Sequence, residues 1–438
     1  MSHFFGTDGI RGKAGEFLTY EFIKEIGYSI SLFLKKNKLE KKVLIGYDTR
    51  ESSEFIVYAL TSIFLYYGIN VDNCGICSTP CISYLSKKYS LSLMVTASHN
   101  SFDDNGIKVF LNNGQKIPPT IKDEIEMNMF LEHEELYSSE FGKLHFRPSL
   151  IYDYQSNLMS HFPHFKYKGK LLVDCANGGI LNIINVIKQY SLDLTLINNA
   201  PNGKNINLNC GVTNIHKFKS NNQYDICAFL DGDGDRIEFL DEKGNIVDGD
   251  DILYILCNYY RKHGKVGNLI LQETSNLALR KYLNDNNIPF YISPTGDSNV
   301  IREMNIHESI LGGEPCGHII DKSYMPCSDG LYILLSILHI LYNEQCTLSK
   351  LIEDFEHIDK VERTILNNNK KKINDDILTT LKSYINEMFQ DNLNIVVRSS
   401  GTENAFRVCV QSDNHIDNLK IADFIENYLT TLINEENI

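Results

Sequence analysis

Phe229-Leu230-Asp231-Gly232-Asp233-Gly234-Asp235-Arg236-Ile237-Glu238 is the stretch on which the reading of this chain turns. The apolar run Ile226–Leu230 predicts a strand, and three aspartates interleaved with two glycines follow it. Alternate residues of an extended segment point the same way, and glycine lets the backbone curl, so the three carboxylates can converge. Converging carboxylates repel one another unless a hard cation sits among them, and oxygen donors of this kind suit Mg²⁺ or Ca²⁺. An EF-hand loop is the first rival, since Asp231, Asp233, Asp235 and Glu242 fall at its first, third, fifth and twelfth positions. That loop needs glycine at its sixth position, where Arg236 stands, and a helix on each side. Here a strand precedes the acids, and Ile237 to Val247 predict a hairpin turning at Glu242-Lys243-Gly244-Asn245, so the EF-hand is rejected. A metal site and a plain acidic turn remain.

The 438 residues, 43% hydrophobic, suffice for several cores and about three domains. Lys and Arg (42) against Asp and Glu (56) leave a net charge of −14, which argues against nucleic acid or an anionic membrane as partner. Such a chain can still bind phosphates if its cations gather in one cleft. Eleven cysteines, odd in number and without Cys-x-x-Cys pairs around histidine, predict reduced thiols and a cytoplasmic protein. Cys74 and Cys77 have that spacing but lack a second pair, which disfavours a zinc or redox site. No signal peptide is expected. The uncharged run Phe55–Val71 contains Thr61, Ser62, Tyr66, Tyr67, Gly68 and Asn70, and is read as a buried crossover helix rather than a membrane span.

Strand and helix alternate along the chain. Strands are predicted at Val43–Tyr47, Leu91–Val95 and Ile107–Leu111, with a helix from about Ser52 and a polar one over Asp123–Leu136. A second run opens at Leu171–Asp174, with Asn177-Gly178-Gly179 leading into a helix to about Tyr190, then Leu194–Ile197 and the aspartate strand. A third has a helix after Asp250, strand Leu269–Gln272, helix Asn276–Asn284, strands Phe290–Ile292 and Ser309–Leu311, and helix Leu331–Tyr342. Beyond Asp359 the pattern becomes a smaller α+β unit: strand Val361–Leu366, the turn Lys370-Lys371-Lys372, helix Asp375–Phe389, strands Asn394–Arg398 and Ala405–Gln411, and a last helix. The expected division is 1–148, 149–248, 249–359 and 360–438, three similar α/β units followed by the α+β tail.

Four further loops carry chemistry. In Thr96-Ala97-Ser98-His99-Asn100, at a strand end, Ser98 is either a nucleophile beside its base or a helix cap beside a histidine. No Gly-x-Ser-x-Gly elbow surrounds it, which disfavours a hydrolase triad. Gly312-Gly313-Glu314-Pro315-Cys316-Gly317-His318 offers one carboxylate and one imidazole to sugar hydroxyls, or is a tight turn whose glutamate caps something. Arg398-Ser399-Ser400-Gly401-Thr402-Glu403 has the equipment of an anion nest, although such turns also occur without ligands. Phe5-Gly6-Thr7-Asp8-Gly9-Ile10-Arg11-Gly12 is glycine-laced around a lone arginine and uninformative by itself.

In this order, the five segments together resemble the α-D-phosphohexomutase superfamily over essentially the whole chain. The opening loop, Pro201-Asn202-Gly203-Lys204-Asn205-Ile206-Asn207, Val247-Asp248-Gly249-Asp250 and Leu311–Glu314 look like its phosphoglucosamine mutases. The resemblance implies a four-domain, heart-shaped enzyme with mixed sheets, one Mg²⁺ per chain, and phosphoserine at Ser98. The phosphate and Asp231, Asp233 and Asp235 would hold the metal, with Arg11, Arg236 and Lys108 balancing the remaining charge. Arg398, Ser400, Gly401 and Thr402, helped by Arg407, would hold the phosphate that is not reacting. Glu314, Cys316 and His318 would meet the sugar, and Lys108 or His99 would move the proton. The implied reaction interconverts glucosamine 6-phosphate and glucosamine 1-phosphate through a 1,6-bisphosphate, feeding UDP-N-acetylglucosamine synthesis, in a monomer or homodimer whose partners are small sugar phosphates.

The chain departs from that pattern at several places. Cys316 stands where serine is usual, Pro315 where glutamine is common, and Ser298 where arginine is usual; Ser399, Asn404 and Ser101 replace prolines. A thiol is a poor hydrogen-bond donor, so the sugar loop is weakened. A mutase for glucose or mannose phosphates is therefore the near rival. A sugar-phosphate-binding protein of weakened catalysis and a Mg²⁺-dependent phosphatase stand further off.

Overall fold

The computed structural model describes residues 4–131, 140–218, 223–265, 267–367, 375–388, 393–399 and 404–434, with backbone alone at 375, 386 and 388. Its described strands form four sheets that follow one another along the chain.

The first sheet contains β1 (Ile10–Lys13), β2 (Lys42–Tyr47), β3 (Asn70–Ile76), β4 (Leu91–Val95), β5 (Asp104–Leu111) and β6 (Leu144–Phe146), in the order β1-β5-β4-β2-β3-β6. β2, β3, β4 and β6 run parallel, while β5 lies antiparallel between β4 and β1. Helices α1 (Tyr20–Lys36), α2 (Glu51–Tyr66), α3 (Thr79–Leu85) and α4 (Pro119–Met129) cover it. α1, which the sequence reading leaves unassigned, is capped by Thr19 and buries Ile23, Ile26, Ile30, Phe33 and Leu34. The uncharged run Phe55–Val71 is not one helix: α2 ends at Tyr66, Gly68 takes a positive φ, and β3 starts at Asn70. The predicted helix Asp123–Leu136 starts earlier, behind Pro118-Pro119, and ends at Met129; residues 132–136 lie outside the described residues.

After α5 (Ile151–Ser160), the second sheet takes the order β11-β10-β9-β7-β8 from β7 (Tyr167–Asp174), β8 (Ser191–Ile197), β9 (Ile226–Leu230), β10 (Ile237–Leu240) and β11 (Ile246–Val247). The predicted hairpin is present, with Phe239 opposite Val247. The helix expected after Gly178-Gly179 is instead two 3-10 segments, 179–182 and 184–189, rich in β-branched Ile and Val that disfavour a regular α-helix. Gly179 is required there, because an added Cβ would lie 2.2 Å from the Cys77 carbonyl oxygen at the end of β3.

The third unit has α6 (Gly249–Lys262), β12 (Leu269–Gln272), α7 (Leu277–Asp285), β13 (Phe290–Ser293), α8 (Asp297–Ile306), β14 (Leu311–Gly313), β15 (Ile319–Asp321), α9 (Gly330–Glu344) and the short α10 (Leu348–Leu351). Its order is β13-β12-β14-β15, parallel but for β15. The strand predicted from Ser309 begins at Leu311, because the Ser309 hydroxyl turns back onto the Asn268 and Leu311 carbonyls. One apolar core runs through the second and third units and reaches the α3 side of the first sheet.

The last unit is the antiparallel sheet β16-β18-β17 (Lys360–Leu366, Ala405–Gln411 and Asn394–Ser399) under α11 (Asp375–Met388) and α12 (His415–Asn434), with its own core. The turn Lys370-Lys371-Lys372 lies outside the described residues. Among the described residues no helix is long and apolar enough to cross a membrane.

Replacing Gly179 by Ala forces a methyl group against backbone with no flexible side chain to yield. A loss of about 1–3 kcal/mol in unfolding free energy is expected by urea denaturation, and a wild-type midpoint would show that this close approach is not made.

Candidate active site

β9 delivers the three aspartates into a tight turn. An added Cβ at Gly232 would lie 2.6 Å from the Ser98 carbonyl oxygen, so only glycine admits the serine loop this closely. The carboxylates of Asp231, Asp233 and Asp235 are buried, and each presents an oxygen within 4.8 Å of the others. Asp231 Oδ1 accepts from the amides of Asp235 (3.1 Å) and Arg236 (3.2 Å), while its Oδ2 accepts from Ser98 Oγ at 2.6 Å. Lys108 Nζ donates to Asp233 Oδ2 (2.7 Å) and Asp235 Oδ2 (2.9 Å), and the Thr79 hydroxyl also bonds Asp233. Asp233 Oδ1 and Asp235 Oδ1 are buried without a hydrogen-bond partner among the described residues. Orphaned oxygens on an all-carboxylate set fit a hard divalent cation. Burial and mutual repulsion push Asp231 well above the usual carboxylate range. Burial acts the same way on Asp233, but Lys108 outweighs it and holds that group low.

Ser98 is buried and adopts φ 53°, a left-handed conformation that costs a non-glycine residue about 1–3 kcal/mol and persists only when its surroundings enforce it. Buried Arg50 supplies much of that enforcement. Its Nη2 donates to the carbonyls of Ser98 and Asn100, both at 2.9 Å, its Nη1 to those of Ser101 and Asp104, and its Nε to Asp48. Asn207 Nδ2 reaches the same Ser98 and Asn100 carbonyls at 2.8 and 3.0 Å, and Thr96 Oγ1 accepts from the Ser98 amide. No helix starts at Ser98, so the helix-cap alternative falls. The adjacent side chains do face each other, with Ser98 Oγ 3.4 Å from His99 Nδ1. The positive field of Arg236, then burial, then Arg11 hold the His99 imidazole well below its usual range, hence neutral.

Arg11, His99, Arg236, Glu314, Cys316, His318, Arg398 and Arg407 line a cleft of about 1500 Å³ whose walls come from all four units, and Lys108 is buried behind it. Burial opposes the charge of Lys108, yet Asp233, Asp235 and Asp8 together raise it well above an ordinary lysine, so it is an ammonium. Arg11 pairs with Asp8, which also pairs with Lys116; Lys116 in turn meets Asp297 at the start of α8. Glu314 Oε1 accepts from Gln272 Nε2 (2.7 Å) and the Gly296 amide (2.9 Å), and burial followed by Asp297 pushes this carboxyl up to about 7. His318, bonded through Nδ1 to Ser328 Oγ at 2.9 Å, is kept neutral by burial and Arg236. Burial pushes the Cys316 thiol up to about 12, so it stays protonated. Arg236, Cys316, Arg398 and Arg407 line the cleft, and Arg407 also bonds Thr364. Ser400, Gly401 and Thr402 lie outside the described residues.

Two segments match one family: residues 2–135 its description "Phosphoglucomutase/phosphomannomutase, alpha/beta/alpha domain I", and residues 248–358 the corresponding domain III. A phosphoglucosamine mutase of Aliarcobacter butzleri is 34% identical over 98% of both chains. One of Francisella tularensis subsp. novicida is 33% identical over 94% of this chain and 95% of its own. The chain belongs to the phosphoglucosamine mutase family of the α-D-phosphohexomutase superfamily. Its fold agrees with a phosphoglucomutase/phosphomannomutase family protein of Burkholderia thailandensis (TM-score 0.82, 19% identity, 100% and 99% of the two chains). It also agrees with an Aspergillus fumigatus N-acetylphosphoglucosamine mutase solved with GlcNAc-6P and magnesium (TM-score 0.67, 16% identity, 97% and 95%).

Within this family member, sequence reasoning missed Arg50, Asn207, Asp8, Lys116 and Gln272. Asp8 and Asn207 stand inside stretches already singled out, where the nearby arginine and the overall likeness drew the attention. Arg50 follows β2 directly, and nothing local shows that a charged side chain there is 2% exposed.

Arg50→Met removes five hydrogen bonds, four to loop carbonyls and one to Asp48, and leaves only Asn207 to hold the Ser98 and Asn100 carbonyls from the side chains named above. It should cost about 3–5 kcal/mol in urea unfolding, against at most about 0.5 kcal/mol for Arg302→Met on the exposed face of α8. Equal costs would mean that Arg50 does not hold the serine loop.

Proposed function

We propose that the chain interconverts glucosamine 6-phosphate and glucosamine 1-phosphate with Ser98 as its phosphoryl carrier. The observation that carries this reading is Ser98 Oγ, 2.6 Å from one member of an aspartate trio that has unpartnered oxygens. A phosphate on Oγ replaces a hydroxyl donor with negative charge against Asp231, an arrangement that demands a cation between them. Asp231, Asp233, Asp235 and the Ser98 phosphate would hold one Mg²⁺, which supplies charge neutralisation at the transferring phosphoryl group.

The chain's own residues do the rest. Phosphoserine gives its phosphoryl group to O1 of glucosamine 6-phosphate; the Oγ–P bond breaks as the O1–P bond forms, giving the 1,6-bisphosphate. After the bisphosphate turns over in the cleft, Ser98 takes the 6-phosphoryl group and glucosamine 1-phosphate leaves. Neutral His99, 3.4 Å from Oγ, is suited to accept the attacking hydroxyl's proton and return it to the leaving oxygen. Lys108, charged as it stands, is suited to hold Asp233 and Asp235 and to stabilise the phosphoryl oxygens with Arg11 and Arg236. Arg398 and Arg407, on the wall built by the last sheet, would anchor the idle phosphate with Ser400, Gly401 and Thr402. Glu314, Cys316 and His318 would bind the sugar in either orientation. The units are divided at 148, 248 and 359 on this reading. Turnover of glucose or mannose phosphates is the second reading, favoured by Cys316, whose protonated thiol is a weak partner for a sugar hydroxyl.

Three measurements test the proposal. Phosphopeptide mass spectrometry should find label on Ser98 that decays when glucosamine 6-phosphate is added, and Ser98→Ala should lower turnover at least about 10³-fold. Faster turnover of glucose or mannose phosphate would favour the second reading, and undiminished turnover by Ser98→Ala would end both. Mg²⁺ at a hundredfold excess over its dissociation constant should add about 2.7 kcal/mol to stability. Asp233→Asn should abolish that gain, and an unchanged gain would place the metal elsewhere.

A further inference from the structure

β10 alternates its side chains, so Ile237 and Phe239 enter the core while Glu238 faces the cleft two residues beyond Arg236. The Ile237 amide bonds the Gly317 carbonyl at 3.2 Å, and the Pro315 carbonyl accepts from the Gly249 amide at 2.9 Å. Glu238 therefore stands against the sugar loop, close enough to Cys316 for their charges to interact. Its carboxylate forms no hydrogen bond or ion pair among the described residues, although it is largely removed from water. The charges that face it are Arg236, Lys360, Asp248 and Asp251, and Lys360 is itself paired with Glu362 at 3.4 Å. Burial first, then Asp248, push Glu238 up to about 8, the direction expected of a carboxylate that lacks a fixed cation. The other acids of the cleft are engaged: Asp8 and Asp297 with Lys116, and Glu314 with Gln272.

We infer that Glu238 is a specificity-determining residue that receives the ammonium group of an amino-sugar phosphate, so that the cleft prefers glucosamine phosphate to its hydroxyl analogue. The inference rests on the proposed function, and it adds beside the altered Pro315-Cys316 loop a carboxyl group not already engaged as Glu314 is. A carboxyl group held protonated for want of a cation ionises against a protonated amine and gains little from a neutral hydroxyl, which keeps its hydration just as well in water.

Calorimetric binding to Ser98→Ala protein, which cannot carry a phosphoryl group, separates recognition from turnover. At pH 7 that protein should bind glucosamine 6-phosphate about tenfold more tightly than glucose 6-phosphate, about 1.4 kcal/mol. In Ser98→Ala/Glu238→Gln the ratio should fall to near one, through weaker glucosamine 6-phosphate binding with glucose 6-phosphate binding unchanged. A ratio that survives Glu238→Gln, an equal loss for both sugars, or no preference in Ser98→Ala each overturns the inference. Failure of the wild-type chain to turn over glucosamine 6-phosphate, with the binding ratio intact, would instead remove the proposed reaction and leave this residue's role standing.

Discussion

Three carboxylates crowded within 4.8 Å and cut off from water form the constraint around which this molecule is built. At such separations in a medium of low polarity, repulsion between like charges reaches several kcal/mol, so the trio exists only where cations are held against it. Lys108 is the nearest, and its position follows from the sheet. β4 ends in the Ser98 loop and β5 returns antiparallel beside it, with Lys108 opposite Met94. The hairpin that presents Ser98 therefore presents the ammonium as well. β1 pairs with the other edge of β5, placing Arg11 opposite Gly106. One run of backbone hydrogen bonds thus fixes Ser98, Lys108 and Arg11 relative to one another, and the second sheet brings the aspartates to them.

That arrangement explains how an acidic chain can recognise phosphate. The net charge of −14 is an average over the surface, whereas the cleft gathers Arg11, Lys116, Arg236, Arg398 and Arg407. Where these cations are paired, the partners are aspartates of the cleft itself, such as Asp8 and Asp297. Asp8 touches Arg11, Lys108 and Lys116, so one carboxylate keeps three cations from repelling one another. The same positive field at His99, and burial followed by that field at His318, keep both imidazoles neutral, and a neutral imidazole can accept a proton whereas a charged one cannot.

What could be read in the sequence was whatever a short stretch determines. The strand before the aspartates, the hairpin after them and the strands Leu91–Val95 and Ile107–Leu111 are local patterns, and they emerge in the structure as β9, β10 with β11, and the β4–β5 pair. The segments that escaped owe their form to distant partners. Residues 179–189 look helical until Gly179 must pass against the end of β3, leaving tight 3-10 turns. Arg50 and Asn207 converge on the carbonyls of Ser98 and Asn100 across 48 to 109 positions of sequence, a separation that no periodicity reveals. Ser98 was legible as a residue of interest, but its left-handed backbone and its bond to Asp231 depend on two units packing together.

The seam between the first and third units is closed by consecutive residues at the start of α8. Ser298 donates its hydroxyl to the Thr7 carbonyl at 2.5 Å. Beside it, Asp297 meets Lys116 of the first unit, and the Gly296 amide meets Glu314 of the sugar loop. Three consecutive residues at the start of α8 thus tie the opening loop, the Asp8 cation cluster and the Glu314 carboxyl into one hydrogen-bonded run. Four residues on, one turn along the same helix face, Arg302 lines the cleft from an exposed position, with its neighbour Glu303 as its one partner among the described residues. Docking of the first and third units at this seam therefore rests on short bonds at the start of α8, and the next turn of that helix is left open to the cleft.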